Sequence, residues 1–403
     1  MKAKNYLVLD VDGRQGYVRR DRLGMFRRVD GIVFDCDGVL VDIKESYNRA
    51  ISKTVAYILS GLTGCNVPET WVADELIYGF RKTGGFNNDW DTVYGILMFT
   101  LSSLPQEIQI RLRELMVEVG WQQNPYERLA LIRNAAEREF QPNLCDRMFS
   151  EEMMNQLLRF ASSLDETGVA SVDWNLVDKY GGNESFFDFY HVLLRFLHTP
   201  AEVGKSVIAT VFEEFFCGAG LFRDTFEVEP RFNLGLGKIE NEKLIVKTET
   251  IDRLESFLGK NNLGIASGSR TKPAKHVLGA LLERFNPEAL VFLEVTEAAE
   301  RERSEKEGQG ISLKKPHPFS LLKAADGLGN CDSVLYVGDS MEDMIVANKA
   351  EQTGKTFLFV GVYGFSGAES VVRDGFLESR CDMIIPSVNE LPFVLETLRR
   401  KKE

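Results

Sequence analysis

Histidine is scarce in this chain, with four residues among 403. No C-x-x-C pair occurs either, so zinc-ligand spacing is absent. The six cysteines, Cys36, Cys65, Cys145, Cys217, Cys331 and Cys381, are scattered. They signal no disulfide framework, and the expectation is reduced, mostly buried thiols. No apolar run approaches the roughly 20 residues of a membrane helix. The N-terminus lacks the basic-then-apolar layout of a signal peptide, so a soluble cytoplasmic protein with no membrane partner is expected. Positive charge is also short: 48 Lys and Arg face 60 Asp and Glu, for a net charge of −12. Nucleic acid is thereby disfavoured as the main partner, because it needs a basic footprint. An anionic ligand must instead be captured by local devices, such as a metal ion or a helix N-terminus.

Apolar residues are plentiful, at 44%, which suffices for a true core. The length suits one large or two ordinary domains. Three stretches succeed one another. The first, to about Asp42, holds two short apolar runs, Tyr6–Leu9 and Gly31–Phe34, each ending at an Asp. Such runs read as buried strands. The second, residues 43–243, is helical in pattern. Asp42 and Glu45 suggest a capping box, and Tyr47, Ala50, Ile51, Val55, Ile58 and Leu59 recur at helical spacing. Pro105 suits a helix start, and Gly84-Gly85, Gly181-Gly182 and Gly218–Gly220 punctuate the stretch.

The third stretch, residues 244–403, alternates strands (Leu263–Ala266, Leu290–Leu293, Val334–Val337, Phe357–Val360) with helices (Ile251–Leu258, Ala274–Leu282, Met344–Ala350, Leu391–Leu398). Alternation of this kind predicts a doubly wound, Rossmann-like α/β core with a parallel sheet, built from residues 1–42 and 244–403. Residues 43–243 then form an inserted, mainly helical cap domain on two linkers. In open parallel sheets ligands bind beyond the C-terminal strand ends, so the polar residues that stop each apolar run are the candidates.

Four strand ends or nearby loops supply a coherent set. Gly31–Phe34 runs into Asp35-Cys36-Asp37-Gly38-Val39-Leu40-Val41-Asp42. Gly264-Ile265-Ala266 runs into Ser267-Gly268-Ser269-Arg270. Lys315 stands in Lys315-Pro316-His317-Pro318. Val334–Val337 runs into Gly338-Asp339-Ser340-Met341-Glu342-Asp343. Phosphoryl transfer from an ester needs a nucleophile, an acid for the leaving oxygen, and neutralisation of the phosphoryl charge. Asp35 and Asp37 suit the first two, being two residues apart before a glycine that permits a sharp turn. Asp339 and Asp343 add the negative charge that a divalent cation such as Mg2+ requires. Ser267, the Gly268 N–H and Lys315 suit phosphate oxygens.

The ordered set D-x-D-G-V-L-x-D, apolar-S-G-S, K-P-x-P and G-D-S-x-x-D resembles the four motifs of the haloacid dehalogenase superfamily. The large helical insertion after the first motif is similar to the cap of its phosphoglycolate-phosphatase-like subfamily. The resemblance implies a Mg2+-dependent phosphatase acting on a small phosphorylated metabolite. It makes Asp35 the nucleophile and a Mg2+ ligand, and Asp37 the general acid/base with its backbone carbonyl on the metal. Ser267, Gly268 and Lys315 then bind phosphate, Asp339 ligates Mg2+, and Asp343 is a ligand or a partner behind the ligands. A phosphomutase, a phosphonate hydrolase using Lys82, and a non-catalytic binding protein of the same fold are the alternatives.

Asp10-Val11-Asp12-Gly13 mimics the first motif, but Arg14, Gln15 and Gly16 come next, so it reads as a turn in an extra N-terminal element. Pro316 and Pro318 favour Lys315 over Lys314. The charged run Glu297–Gln309 is expected to be a solvated loop or frayed helix. In the insertion, Arg81, Lys82, Asn87 and Asn88 stand in a Gly- and aromatic-rich segment. It reads equally as a substrate-reading loop or as a helix C-terminus followed by an N-cap.

Overall fold

The computed structural model describes residues 4–11, 13–86, 88–120, 123–139, 145, 149–182 and 184–400. The chain divides into two compact units, Met1–Ile43 with Glu242–Glu403, and Lys44–Asn241.

The first unit carries the strands β1 (Tyr6–Val11), β2 (Arg14–Arg19), β3 (Gly31–Phe34), β4 (Val41–Asp42), β5 (Lys243–Leu244), β6 (Leu263–Ala266), β7 (Leu290–Val291), β8 (Ser333–Gly338), β9 (Thr356–Val362) and β10 (Met383–Ile385). Eight of them form one sheet in the order β1-β2-β10-β9-β8-β3-β6-β7. From β10 to β7 every pairing is parallel. β3, β6 and β8 are buried along their whole length, as strands covered on both faces must be. The alternation of side chains splits them between two cores. Ile32, Phe34, Leu335 and Val337 enter one, and Val33, Val334 and Tyr336 the other. This is the mixed α/β, Rossmann-like core expected from the sequence.

Two local expectations change, the Asp42/Glu45 capping box and the extent of the Leu290–Leu293 strand, and two others gain detail. The N-terminal segment adds an antiparallel hairpin, β1–β2, to the sheet edge through β10. Its polar second strand, RQGYVR, carries no apolar run to announce it. The Gly13 N–H donates to Asp10 Oδ1 at 3.0 Å in the turn; Asp12 lies outside the described residues. The Asp42/Glu45 capping box does not form. Asp42 is held extended in a two-stranded ribbon with Lys243, and the helix begins at Tyr47. β7 stops at Val291 because a helix, Leu293–Glu307, takes over. That helix includes most of Glu297–Gln309. It buries almost nothing and is supported by polar pairs, such as Lys306 to Glu302 at 2.6 Å.

Among its described residues the second unit is built from helices, from Tyr47–Thr63 to Val207–Phe226, the last kinked at Gly218, and carries no strand. No helix among the described residues is long and apolar enough to cross a membrane. The expectation of six reduced thiols is corrected here: Cys65 and Cys145 form a disulfide, while Cys36, Cys217, Cys331 and Cys381 are in no disulfide. Two cysteines 80 residues apart leave no spacing signal, since only tertiary folding joins them. Closing so long a loop restricts the unfolded chain by about 4 kcal/mol. Thiol titration of the denatured, unreduced protein is expected to count four thiols per chain, and six after reduction. Reduction should also lower the melting temperature. A count of six without reductant contradicts the pairing.

Candidate active site

β8, β3 and β6 are neighbours, so the residues just beyond them meet at one edge of the sheet. Asp35 continues the ladder, its N–H donating to Val337 O at 2.8 Å. The chain then turns sharply: the Leu40 and Val41 N–H groups donate to Cys36 O at 2.8 and 3.0 Å, and Gly38 N–H donates to Val41 O at 2.8 Å. Gly38 has φ +73°, and a Cβ there would overlap the Asp339 carboxylate. Glycine is thus required twice, for the left-handed turn and for the close approach of Asp339. Gly38→Ala is expected to destabilise the fold by about 1–3 kcal/mol. An unchanged midpoint in urea unfolding would argue against this packing.

The carboxylates of Asp35, Asp339 and Asp343 each place an oxygen within 4.8 Å of the others. Lys315 stands among them. Its Nζ donates to Asp35 Oδ1 at 2.9 Å and to Asp343 Oδ1 at 2.7 Å. Lys314 points elsewhere, half-exposed and 3.9 Å from Glu297, so the geometry selects Lys315. The Leu313 and Lys314 N–H groups donate to Glu300 Oε1, which ties the approach to Lys315 to the Leu293–Glu307 helix.

Asp343 has both oxygens occupied. Oδ1 accepts from Lys315 and from Tyr336 Oη at 2.8 Å, and Oδ2 accepts from Ser340 Oγ at 2.7 Å in a capping box that opens the helix Met341–Glu351. Its observed work is therefore to hold Lys315 and the helix start. Gly338 permits this, because a Cβ there would overlap Asp343. Ser267 is buried, with its N–H on Val291 O at 3.0 Å, while Gly268 is exposed at the loop tip. Asp37 accepts from Ser269 Oγ at 2.6 Å.

The electrostatics are lopsided. Burial, with Asp343 and Asp37 nearby, outweighs Lys315 and raises the Asp35 carboxyl to about 7. Burial and the neighbouring carboxylates push Asp339 well above the usual range. Asp343 goes the other way: burial would raise it, but Lys315 and its hydrogen bonds hold it low. The Lys315 ammonium loses solvation on burial, yet Asp343 and Asp35 keep it firmly protonated. One buried cation faces several buried carboxyls, all hard oxygen donors. That donor set fits a small, hard divalent cation.

In the helical unit, Asn88 caps the helix Asp89–Ser102, accepting from Trp90 N–H at 3.0 Å. Arg81 donates to Asp89 at 2.7 Å and to Asn48 at 2.9 Å. Lys82 is exposed, and Asn87 lies outside the described residues. The capping interpretation of this segment therefore has contacts behind it. Sequence reasoning passed over Tyr336, Ser340 and Ser269. Ser340-x-x-Asp343 carried a readable capping signal, whereas Tyr336 looked like any strand residue.

No family model matches the chain, and no curated protein matches it. Among solved structures, an X-ray structure of Northeast Structural Genomics Consortium target ZR25 superposes with a TM-score of 0.63 at 20% identity, over 92% of this chain and 99% of that one. The likeness is one of fold. Phosphatase Tt82 from Thermococcus thioreducens gives a TM-score of 0.48 at 18% identity, over 91% of this chain and 98% of that one. So loose a likeness bears on neither chemistry nor substrate.

Proposed function

We propose that the chain is a Mg2+-dependent phosphatase of the haloacid dehalogenase type, cleaving a small-molecule phosphate monoester through an aspartyl-phosphate on Asp35. The observation that carries this reading is the buried Lys315 ammonium donating to both Asp35 and Asp343, beside Asp339. A carboxylate with a fixed cation at its side is suited to attack phosphorus, because the ammonium meets the phosphoryl charge as it arrives. Asp35 forms the new P–O bond while the bond to the leaving oxygen breaks, and Asp37 gives that oxygen a proton. Water then attacks the phosphorus of the aspartyl-phosphate, Asp37 takes its proton, the P–O bond to Asp35 breaks to return the carboxylate, and inorganic phosphate leaves. Ser267 and the Gly268 N–H hold phosphoryl oxygens throughout.

Asp35, Asp339 and the Asp37 backbone carbonyl would hold Mg2+, with Asp343 behind them. When bound, the ion supplies further neutralisation of the phosphoryl oxygens. Phosphate release from p-nitrophenyl phosphate should therefore require Mg2+ and stop with chelator; Mg2+-independent turnover would refute the metal assignment.

The pH dependence has a definite sign. Asp35 is raised from 3.8 to about 7, so the folded protein binds more protons than the unfolded chain between those values. The site's contribution to stability is then full below pH 4 and falls as pH rises towards 7. Mg2+ binds the ionised form, so it should raise the melting temperature by about 5 °C at pH 8 and far less at pH 5.5. Equal shifts at both pH values would count against Asp35 as a ligand.

A further inference from the structure

We infer that Ser269 is a positioning residue that decides which oxygen of Asp37 carries the transferable proton; the inference rests on the phosphatase reading. Ser269 Oγ donates to Asp37 Oδ2 at 2.6 Å. Its own backbone is fixed on both sides: Ser269 N–H donates to Ser267 Oγ at 3.1 Å, and Ser269 O accepts from Leu293 N–H at 3.0 Å. The side chain is buried, so water does not compete freely for that hydroxyl. Ser267 is tied in turn to the end of β7 through Val291 O. The hydroxyl is therefore aimed by the sheet and by the first residue of the Leu293–Glu307 helix, and not by a loose loop.

A neutral carboxylic acid has one O–H and keeps acceptor capacity on its other oxygen. A donor held on Oδ2 occupies that oxygen as an acceptor, so the acid proton resides on Oδ1. In the first step Asp35 forms a bond to phosphorus, the bond from phosphorus to the leaving oxygen breaks, and the proton on Asp37 Oδ1 passes to that oxygen. In the second step water bonds to phosphorus, the P–O bond to Asp35 breaks, and the same Oδ1 takes a proton from that water. Ser269 touches neither phosphorus nor leaving group. It fixes the rotamer and the protonated oxygen of the acid that does, and through Ser267 it couples that acid to the phosphoryl-binding loop.

The leaving group reads this role. 2,4-Dinitrophenolate leaves readily without a proton, p-nitrophenolate less so, and phenolate poorly. The three aryl phosphates, with Mg2+, differ mainly in how far they need Asp37. Ser269→Ala is expected to lower kcat on phenyl phosphate by about 10- to 100-fold and on 2,4-dinitrophenyl phosphate by less than about 3-fold. Ser269→Thr, which keeps the hydroxyl, should restore the parent pattern. Asp37→Ala should show the same leaving-group dependence, more steeply. Equal losses on all three esters, or a rise in KM without a change in kcat, would overturn the inference, because Ser269 would then serve folding or phosphate binding. A Ser269→Thr variant as impaired as Ser269→Ala would overturn it too, and so would a Ser269→Ala variant indistinguishable from wild type. The parent protein and Asp35→Asn in the same assay separate the two readings. If the parent protein with Mg2+ releases no phosphate from any of the three esters, the phosphatase reading fails; if Asp35→Asn keeps turnover, the aspartyl-phosphate on Asp35 fails. If the parent is active, Asp35→Asn is inactive and Ser269→Ala is flat across the series, only the inference fails.

Discussion

Asp35→Asn is expected to lower phosphate release from p-nitrophenyl phosphate by about four orders of magnitude or more, with the fold intact. The substitution is isosteric and keeps an oxygen that can accept from Lys315 Nζ, now 2.9 Å from Asp35 Oδ1. It removes only the charge and the nucleophilicity. Because burial and neighbouring carboxylates raise the Asp35 carboxyl to about 7, the ionised form is the costly one above that pH. The neutral variant should therefore melt no lower than the parent at pH 8 without metal. Circular dichroism melting and a phosphate assay check both halves. Turnover at the parent level would refute the nucleophile assignment, and a collapsed melting curve would show that Asp35 is chiefly structural.

Lys315→Met should be the most destabilising single change in this unit. The ammonium sits between Asp35 and Asp343, and Asp343 is almost fully buried. Truncating one partner of such a group leaves buried charge uncompensated, at a cost of about 3–5 kcal/mol. Activity should fall by at least about 100-fold as well, since a preorganised cation beside the phosphoryl group is lost. The stability loss depends on pH. At pH 8 the two carboxyls would have to remain charged or take up protons against the solution, whereas near pH 5 they neutralise more cheaply, so the deficit should shrink. Lys314→Met is the control. Half-exposed and 3.9 Å from Glu297, it should change stability by less than about 1 kcal/mol. Urea unfolding of both variants at the two pH values decides the matter; equal effects would mean that the buried pairings carry no special weight.

Much of this centre was legible from residue order. The carboxylates stand just beyond short apolar runs and Lys315 in a proline-flanked loop, and a parallel sheet gathers the residues beyond its strands onto one edge. The lookalike Asp10–Gly13 was separable from Asp35–Gly38 because Arg14, Gln15 and Gly16 stand where an apolar pair should be. Less was legible where the signal is not periodic. β2 is too polar to look like a strand, and it forms by pairing with β1 across a tight turn and with the edge that β10 offers. The Leu293–Glu307 helix has no apolar face, so its pattern did not separate a solvated loop from a frayed helix. Cys65 and Cys145 meet only through the packing of the helical unit.

The sequence by itself determined the chemistry available: two carboxylates around a glycine turn, a second acidic pair, a serine loop and a lysine, on an α/β frame with a helical insertion. Periodicity and punctuation are local properties, and they suffice to say which residues stop each strand. Only the tertiary structure decided how those residues divide the work. It put Lys315, and not Lys314, between Asp35 and Asp343, occupied both oxygens of Asp343 with supporting donors, and brought Ser269 onto Asp37 across 232 positions of sequence. Hydrogen bonds between strand ends depend on which strands are neighbours and on the burial that strips away competing water. Neither is written in any short window of the chain.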